Sequence, residues 1–117
     1  MLEFENGNEV FAVKGAGELD VIFCGDYCPG SAASRQHIIE GGSDAILRGV
    51  KPILDNCDLS LIQFECPLVS QGDPILKSGP NLNAPVGCVD FVKAGGFDVA
   101  LLANNHIGDY GPGPVVE

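Results

Sequence analysis

Basic side chains are scarce in this sequence. Six Lys and Arg stand against sixteen Asp and Glu among 117 residues, a formal net charge of −10 at pH 7. That balance works against nucleic acid or an anionic membrane surface as a partner, because both need basic patches. No run of about 18 apolar residues occurs, so no membrane-spanning helix is expected. Residues 1–14 hold acidic side chains and no apolar core, and do not read as a secretory leader. Histidine is limited to His37 and His106. The P-loop, GxSxG and HExxH patterns are absent, and the GxG spacing of Gly15-Ala16-Gly17 precedes a strand, where a dinucleotide fingerprint would follow one. The five cysteines, Cys24, Cys28, Cys57, Cys66 and Cys88, are odd in number and form no CxxC pair. Neither a disulfide framework nor a Cys-rich zinc site is expected; reduced thiols in a reducing compartment are the simpler reading.

What is present is enough apolar material for one modest core. Hydrophobic residues make up 45% and charged residues 19%, which separates the chain from disordered sequences. Three short apolar runs, partly β-branched and bounded by turn residues, read as strands: 19–24 ending in Gly25-Asp26, 59–64 ending in Glu65, and 99–103 ending in Asn104-Asn105-His106. The last run suits a strand covered on both faces. Residues 10–13 form a weaker candidate. Between the runs lie helical patterns. Ser43 is placed to cap a segment with Ile46, Leu47, Val50, Ile53 and Leu54 on one stripe, which Pro52 should kink or split, or whose second part it should start; residues 85–94 form a second, stopped by Gly95-Gly96. Strand–helix–strand–helix–strand order predicts an α/β fold, a mostly parallel sheet with flanking helices. The Pro- and Gly-rich stretch 67–84 is a long loop leaving the sheet directly after Glu65, where a loop either shapes a site or is a surface excursion.

In a parallel sheet the three strand ends converge on one rim. Asp26, Glu65, Asn104, Asn105 and His106 would then gather there, a donor set suited to Mn, Mg, Fe or Zn. Each residue also has a plainer role. Asp26 can form a turn, Glu65 can be a solvated strand end, Asn104 and Asn105 can cap the next turn, and His106 can be a hydrogen-bonded structural histidine. Asp109 either orients His106 as an acceptor or caps the following helix. His37 has no partner in the pattern and is expected at the surface.

Several of these residues resemble one known family. Gly25-Asp26 after a first strand, the segment Asp58-Leu59-Ser60-Leu61-Ile62-Gln63-Phe64-Glu65-Cys66-Pro67-Leu68, and the Ala103-Asn104-Asn105-His106-Ile107-Gly108-Asp109-Tyr110-Gly111 signature are similar to the bacterial capsule-synthesis family of CapA type, also called poly-gamma-glutamate synthesis proteins and related to calcineurin-like metallophosphoesterases. The resemblance covers residues 19–111. It implies a metallophosphoesterase-like fold, with residues 1–117 as a single N-terminal portion of a longer domain whose second half supplies further histidines. It implies a divalent metal ion faced by Asp26, Glu65 and Asn105, with His106 beside the substrate, and a place at the cell envelope. Two positions depart from the pattern: Gln63 stands where the family has Asn, and Cys28 where the phosphoesterase relatives have His.

The expectation is a capsule or poly-gamma-glutamate biosynthesis protein with a metal-dependent, hydrolase-like site. Asp26, Glu65, Asn104 and Asn105 are its metal-side candidates, and His106 and Asp109 its catalytic candidates. Its partner would be an anionic polymer or phosphoester, approached through local basic groups such as Lys77, Arg35 or Arg48. Pairing with a second copy or with a missing C-terminal half is a further expectation. The alternative is a non-catalytic polymer- or partner-binding subunit with a degenerate metal site, slightly favoured by Cys28 and Gln63. A plain α/β binding domain is the third reading, in which Asp26→Asn and His106→Ala alter only stability.

Overall fold

The computed structural model describes residues 17–116, with the side chains of Val115 and Val116 excepted. The candidate strand at 10–13 and the GxG at 15–17, apart from Gly17, lie outside them. Three parallel strands form one sheet in the order β1-β2-β3: β1 Val21–Tyr27, β2 Leu59–Phe64 and β3 Val99–Leu101. The helices are α1 Ala32–His37, α2 Ser43–Leu47, α3 Lys51–Leu54, α4 Val89–Gly95 and α5 Gly113–Val116. The expected α/β fold is therefore present. No helix among the described residues is long and apolar enough to cross a membrane.

Aspartates fix where the strands begin. Asp58 accepts a hydrogen bond from the Asp20 N–H at 2.9 Å, tying the start of β2 to that of β1. Asp98 does the same between β3 and β2, accepting from the N–H and hydroxyl of Ser60 at 2.8 and 3.0 Å. Those bonds hold the Asp98 carboxyl below its ordinary pKa. Within β1 the pairing shifts by one residue between Cys24 and Asp26, so Asp26 lies opposite Gln63 and Tyr27 opposite Phe64.

The core lies on one face of the sheet. Tyr27, Ile38, Ile62 and Phe64 are buried together, with Phe91 and Val92 of α4 and Phe97 packed against them. Tyr27 is its hub. Its ring stacks on Phe91 at 4.6 Å between centroids and meets Phe64 edge-on at 5.1 Å, both favoured geometries. Its buried hydroxyl donates to the Cys88 carbonyl at 2.7 Å. Burial, followed by the neighbouring Cys88, pushes the Tyr27 pKa up. A second cluster holds Cys66, Ala84 and Cys88, with Cys28, Leu68 and Leu82 against it. All five cysteines are free thiols, as expected from their spacing.

The other face differs from expectation. Val21, Phe23, Leu59, Val99 and Leu101 are exposed, Phe23 at 72%. The strand predicted to be covered on both faces is instead an edge strand that no described element covers on this side. An all-parallel sheet ordinarily has both faces covered, which is why its strands read as continuous apolar runs.

Two helical details also depart from the sequence pattern. Ser43 does not cap: Gly42 precedes α2 without a side-chain bond, and the Ser43 hydroxyl is buried with no hydrogen-bond partner. The reason is the preceding kink. The helical path from α1 breaks at the non-helical Gly41, and the chain turns there into α2 without a clean start. That kink uses Gly41 at φ +87°, a backbone conformation that favours glycine. α1 was not expected; its signal is the reciprocal capping of Ser31 and Ser34, on an otherwise polar segment. Pro52 splits the α2–α3 region as expected, and Gly96, at φ 71°, ends α4.

The asymmetry of the sheet is testable. Phe64→Ala should cost about 3–5 kcal/mol in denaturant unfolding, as for a buried aromatic in a packed core. Phe23→Ser, on the bare face, should cost less than about 1 kcal/mol. Equal losses would contradict a one-sided core.

Candidate functional site

The carboxyl ends of the three strands do meet. The Glu65 N–H donates to the Tyr27 carbonyl at 3.1 Å, and Asn104 Nδ2 donates to the Phe64 carbonyl at 2.8 Å. These bonds bring residues 26–28, 64–66 and 104–106 to one edge, as the parallel topology requires.

Asn104 is a structural residue of this rim. Its Oδ1 accepts from the N–H groups of His106 and Ile107, both at 2.9 Å, and its Nδ2 spans to β2. Both ends of the amide are thus engaged in shaping the turn, the capping role that the sequence left open. Asn105 and Asp26 are exposed, and Glu65 is half-buried.

The best-determined group at the rim is a buried carboxylate. Asp109 is 1% exposed and lies between two cationic or ionisable partners. Lys77 Nζ bonds its Oδ1; Oδ2 takes His106 Nδ1 at 2.8 Å and the Leu82 N–H at 2.7 Å. Burial by itself works to raise the Asp109 pKa. The hydrogen bonds from Lys77, His106 and Leu82 outweigh it and hold the group down at about 2. An ionised Asp109 accepts only, so His106 Nδ1 carries the proton toward it. The 3.3 Å approach of Lys77 Nζ to the same nitrogen is then a contact between two donors. His106 is 12% exposed, and its Nε2 has no protein partner among the described residues. The sequence alternative in which Asp109 orients the imidazole is the arrangement observed.

Lys77, expected with Arg35 and Arg48 as a source of positive charge for an anionic partner, is instead 21% exposed and spent on Asp109. Arg35 donates to the carbonyls of Pro29 and Asn83 at 2.8 and 2.7 Å, and Arg48 is exposed. The available signal was that Lys77 is the lone cation in the loop 67–84. The same loop is pinned by the Ile75 N–H to the Asp109 carbonyl at 2.9 Å and by Asn83 to the Tyr110 hydroxyl. His37 is exposed, as expected.

No three of the described His, Cys, Asp and Glu side chains gather closely enough to hold a divalent ion. Gln63, opposite Asp26, buries its Nε2 without a partner, and an amide N–H₂ calls for an acceptor oxygen rather than a cation. The cleft beside the rim, about 240 Å³ and lined by residues such as Phe64, Leu68, Val92 and Ile107, is apolar.

A parallel α/β sheet with polar residues gathered at its carboxyl edge, beside a long loop, places those residues where open α/β sheets carry their ligand sites. The profile of the family described as bacterial capsule synthesis protein PGA_cap matches residues 20–117, and the chain belongs to that family. Over 73 residues it is 41% identical to the capsule biosynthesis protein CapA of Bacillus anthracis, an alignment that covers 60% of this chain and 18% of that protein. The chain thus spans a small part of the length of the curated relative it matches. The α/β fold is that of part of a metallophosphoesterase-like domain, the class the sequence resemblance implied.

The buried pair predicts a pH signature. The Asp109 pKa is below its ordinary 3.8, so its stabilising contribution is complete above about pH 5 and is lost as pH falls through 4 toward 2. Asp109→Asn should destabilise by about 3 kcal/mol at pH 7 by stranding Lys77. It should also flatten the acid limb of stability between pH 4 and 2. An unchanged acid limb, measured by urea unfolding at several pH values, would contradict the ionised, bonded carboxylate.

Proposed function

We propose that this chain forms one side of a hydrolase-like site in a capsule synthesis protein acting on an anionic polymer such as poly-gamma-glutamate or on a phosphoester. The observation that carries this reading is the His106–Asp109–Lys77 arrangement at the strand-end rim. A buried carboxylate fixes the imidazole through Nδ1 and leaves Nε2 for substrate. In its neutral form Nε2 takes a proton from an attacking water; once protonated it returns that proton to the leaving oxygen or nitrogen. Lys77 neutralises Asp109, so the carboxylate orients the ring without adding net negative charge beside an anionic substrate. A divalent cation belongs to this reading only with donors from beyond these side chains; Asp26, Glu65 and Asn105 are those that this rim offers.

One observation favours a second reading, a non-catalytic polymer- or partner-binding subunit: the described side chains do not close a ligand set around an ion, and Asn104 is committed to its turn. The two readings separate in the full-length parent protein. His106→Gln should lower polymer processing by about 10²–10⁴-fold while thermal stability stays within a few degrees. Retained processing would instead support the binding subunit. Calorimetric titration of Mn²⁺, beside an Asp26→Asn, His106→Ala double variant, tests the cation separately. Micromolar binding lost in the variant supports a rim-held ion; equal traces remove it from the proposal.

A further inference from the structure

The cations of this chain sort by whether their charge is already met. Lys51 pairs with Asp55, Lys77 with Asp109 and Lys93 with Asp90. Arg48 is exposed just past α2. Arg35, in the last turn of α1, is half-buried and forms no ion pair among the described residues. A partly desolvated charge without a counter-ion favours an anion beside it.

The Arg35 guanidinium is held at the carboxyl rim of the sheet. Its Nε donates to the Pro29 carbonyl at 2.8 Å, in the segment after β1, and its Nη2 to the Asn83 carbonyl at 2.7 Å, at the end of the long loop. Asn83 adjoins Leu82, whose N–H bonds Asp109, and its own side chain bonds the Tyr110 hydroxyl. Arg35 is thereby tied to the same loop end and the same turn that fix His106. The two carbonyls set the plane of the guanidinium and add no net charge. Its remaining N–H groups, on Nη1 and Nη2, have no protein acceptor among the described residues. The thiols of Cys66 and Cys88 lie within range of its charge, but burial pushes both pKa values up, so neither supplies a counter-ion.

We propose that Arg35 is the anion contact of this rim: the free edge of its guanidinium takes a carboxylate or phosphate group, in the two-pronged geometry that its planar fork favours. Charge recognition then lies on the β1 side of the long loop, and the His106 imidazole on the β3 side. That His106 acts on a bond of the anion held there rests on the function proposed above; the anion contact itself does not. With a net charge of −10, the chain repels polyanions at long range, so capture depends on a short-range, oriented contact of this kind. A guanidinium already fixed by two carbonyls has less freedom to lose on binding.

The test is NMR of the folded 117-residue chain at fixed ionic strength, with inorganic phosphate in one titration and a short γ-linked glutamate peptide in another. The Arg35 Nε–H signal and the amide N–H signals of Asn83 and Tyr110 should shift and saturate, whereas chloride should leave them still. The probe that saturates at the lower concentration names the source of the anion. Arg35→Lys keeps the charge without the fork and should weaken binding about tenfold, the worth of one charge-assisted hydrogen bond. Arg48→Gln, at an exposed position, should leave it unchanged. An Arg35 signal that neither probe moves would overturn the proposal. Equal weakening by Arg35→Lys and Arg48→Gln would do the same, since it marks diffuse charge alone. Binding is read apart from polymer processing. An anion on Arg35 with processing retained in His106→Gln full-length protein removes only the catalytic reading; no anion there, with processing lost in that variant, removes only this one.

Discussion

The buried carboxylate of Asp109 is the constraint on which the rim depends. A carboxylate with 1% exposure is tolerated only when its charge is matched and its lone pairs are filled. Here both conditions are met by groups that come from far apart in sequence: Lys77 and Leu82 from the long loop, and His106 from the turn after β3. The same residue fixes the loop backbone through its carbonyl to Ile75. One charge therefore closes the loop, fixes the imidazole and sets which of its nitrogens carries the proton. The loop needs no secondary structure of its own, because an ion pair in a dry pocket organises it.

The strand ends, the parallel order and the long loop were legible in the sequence, because short apolar runs bounded by turn residues have few other solutions. The Asp109–His106 pairing was legible as one of two options, since three residues of spacing place the two side chains within reach. Other features were not readable, for identifiable reasons. α1 has no apolar stripe, and its signal is a local Ser–Ser cap. Ser43 has the chemistry of a cap, but the kink at Gly41 before it decides its place. Asn104 presents the same amide to a metal ion or to a turn, and only the position of the Phe64 carbonyl resolves it toward the turn. Lys77 depends on how an irregular loop folds back, which no periodicity encodes. The bare sheet face is invisible in sequence, because an apolar run records a face suited to burial and says nothing of what covers it.

Membership in the capsule synthesis family gives the rim its context, and the structure divides the signature residues by task. Asn104 builds the turn, Asp109 anchors the loop, and His106 is left with one nitrogen free of protein partners among the described residues. Asp26 and Asn105 lie exposed at the same edge of the sheet. Architecture and chemistry are interleaved residue by residue, so loss of function on substitution at this signature does not by itself identify a residue that touches substrate.

The one-residue slip in β1 has a consequence for how such a rim can change. Side chains alternate between the two faces of a strand, so a single extra residue exchanges the faces of everything beyond it. In unbroken register Asp26 would fall opposite Phe64, directed at the apolar core, and Tyr27 would be turned out of it. The shift between Cys24 and Asp26 reverses that parity: the aromatic hub goes inward and the carboxylate outward. A core and a charged edge built from neighbouring residues are thereby held in phase by one inserted position. Insertions or deletions of single residues at this point in relatives would therefore be expected in pairs or not at all.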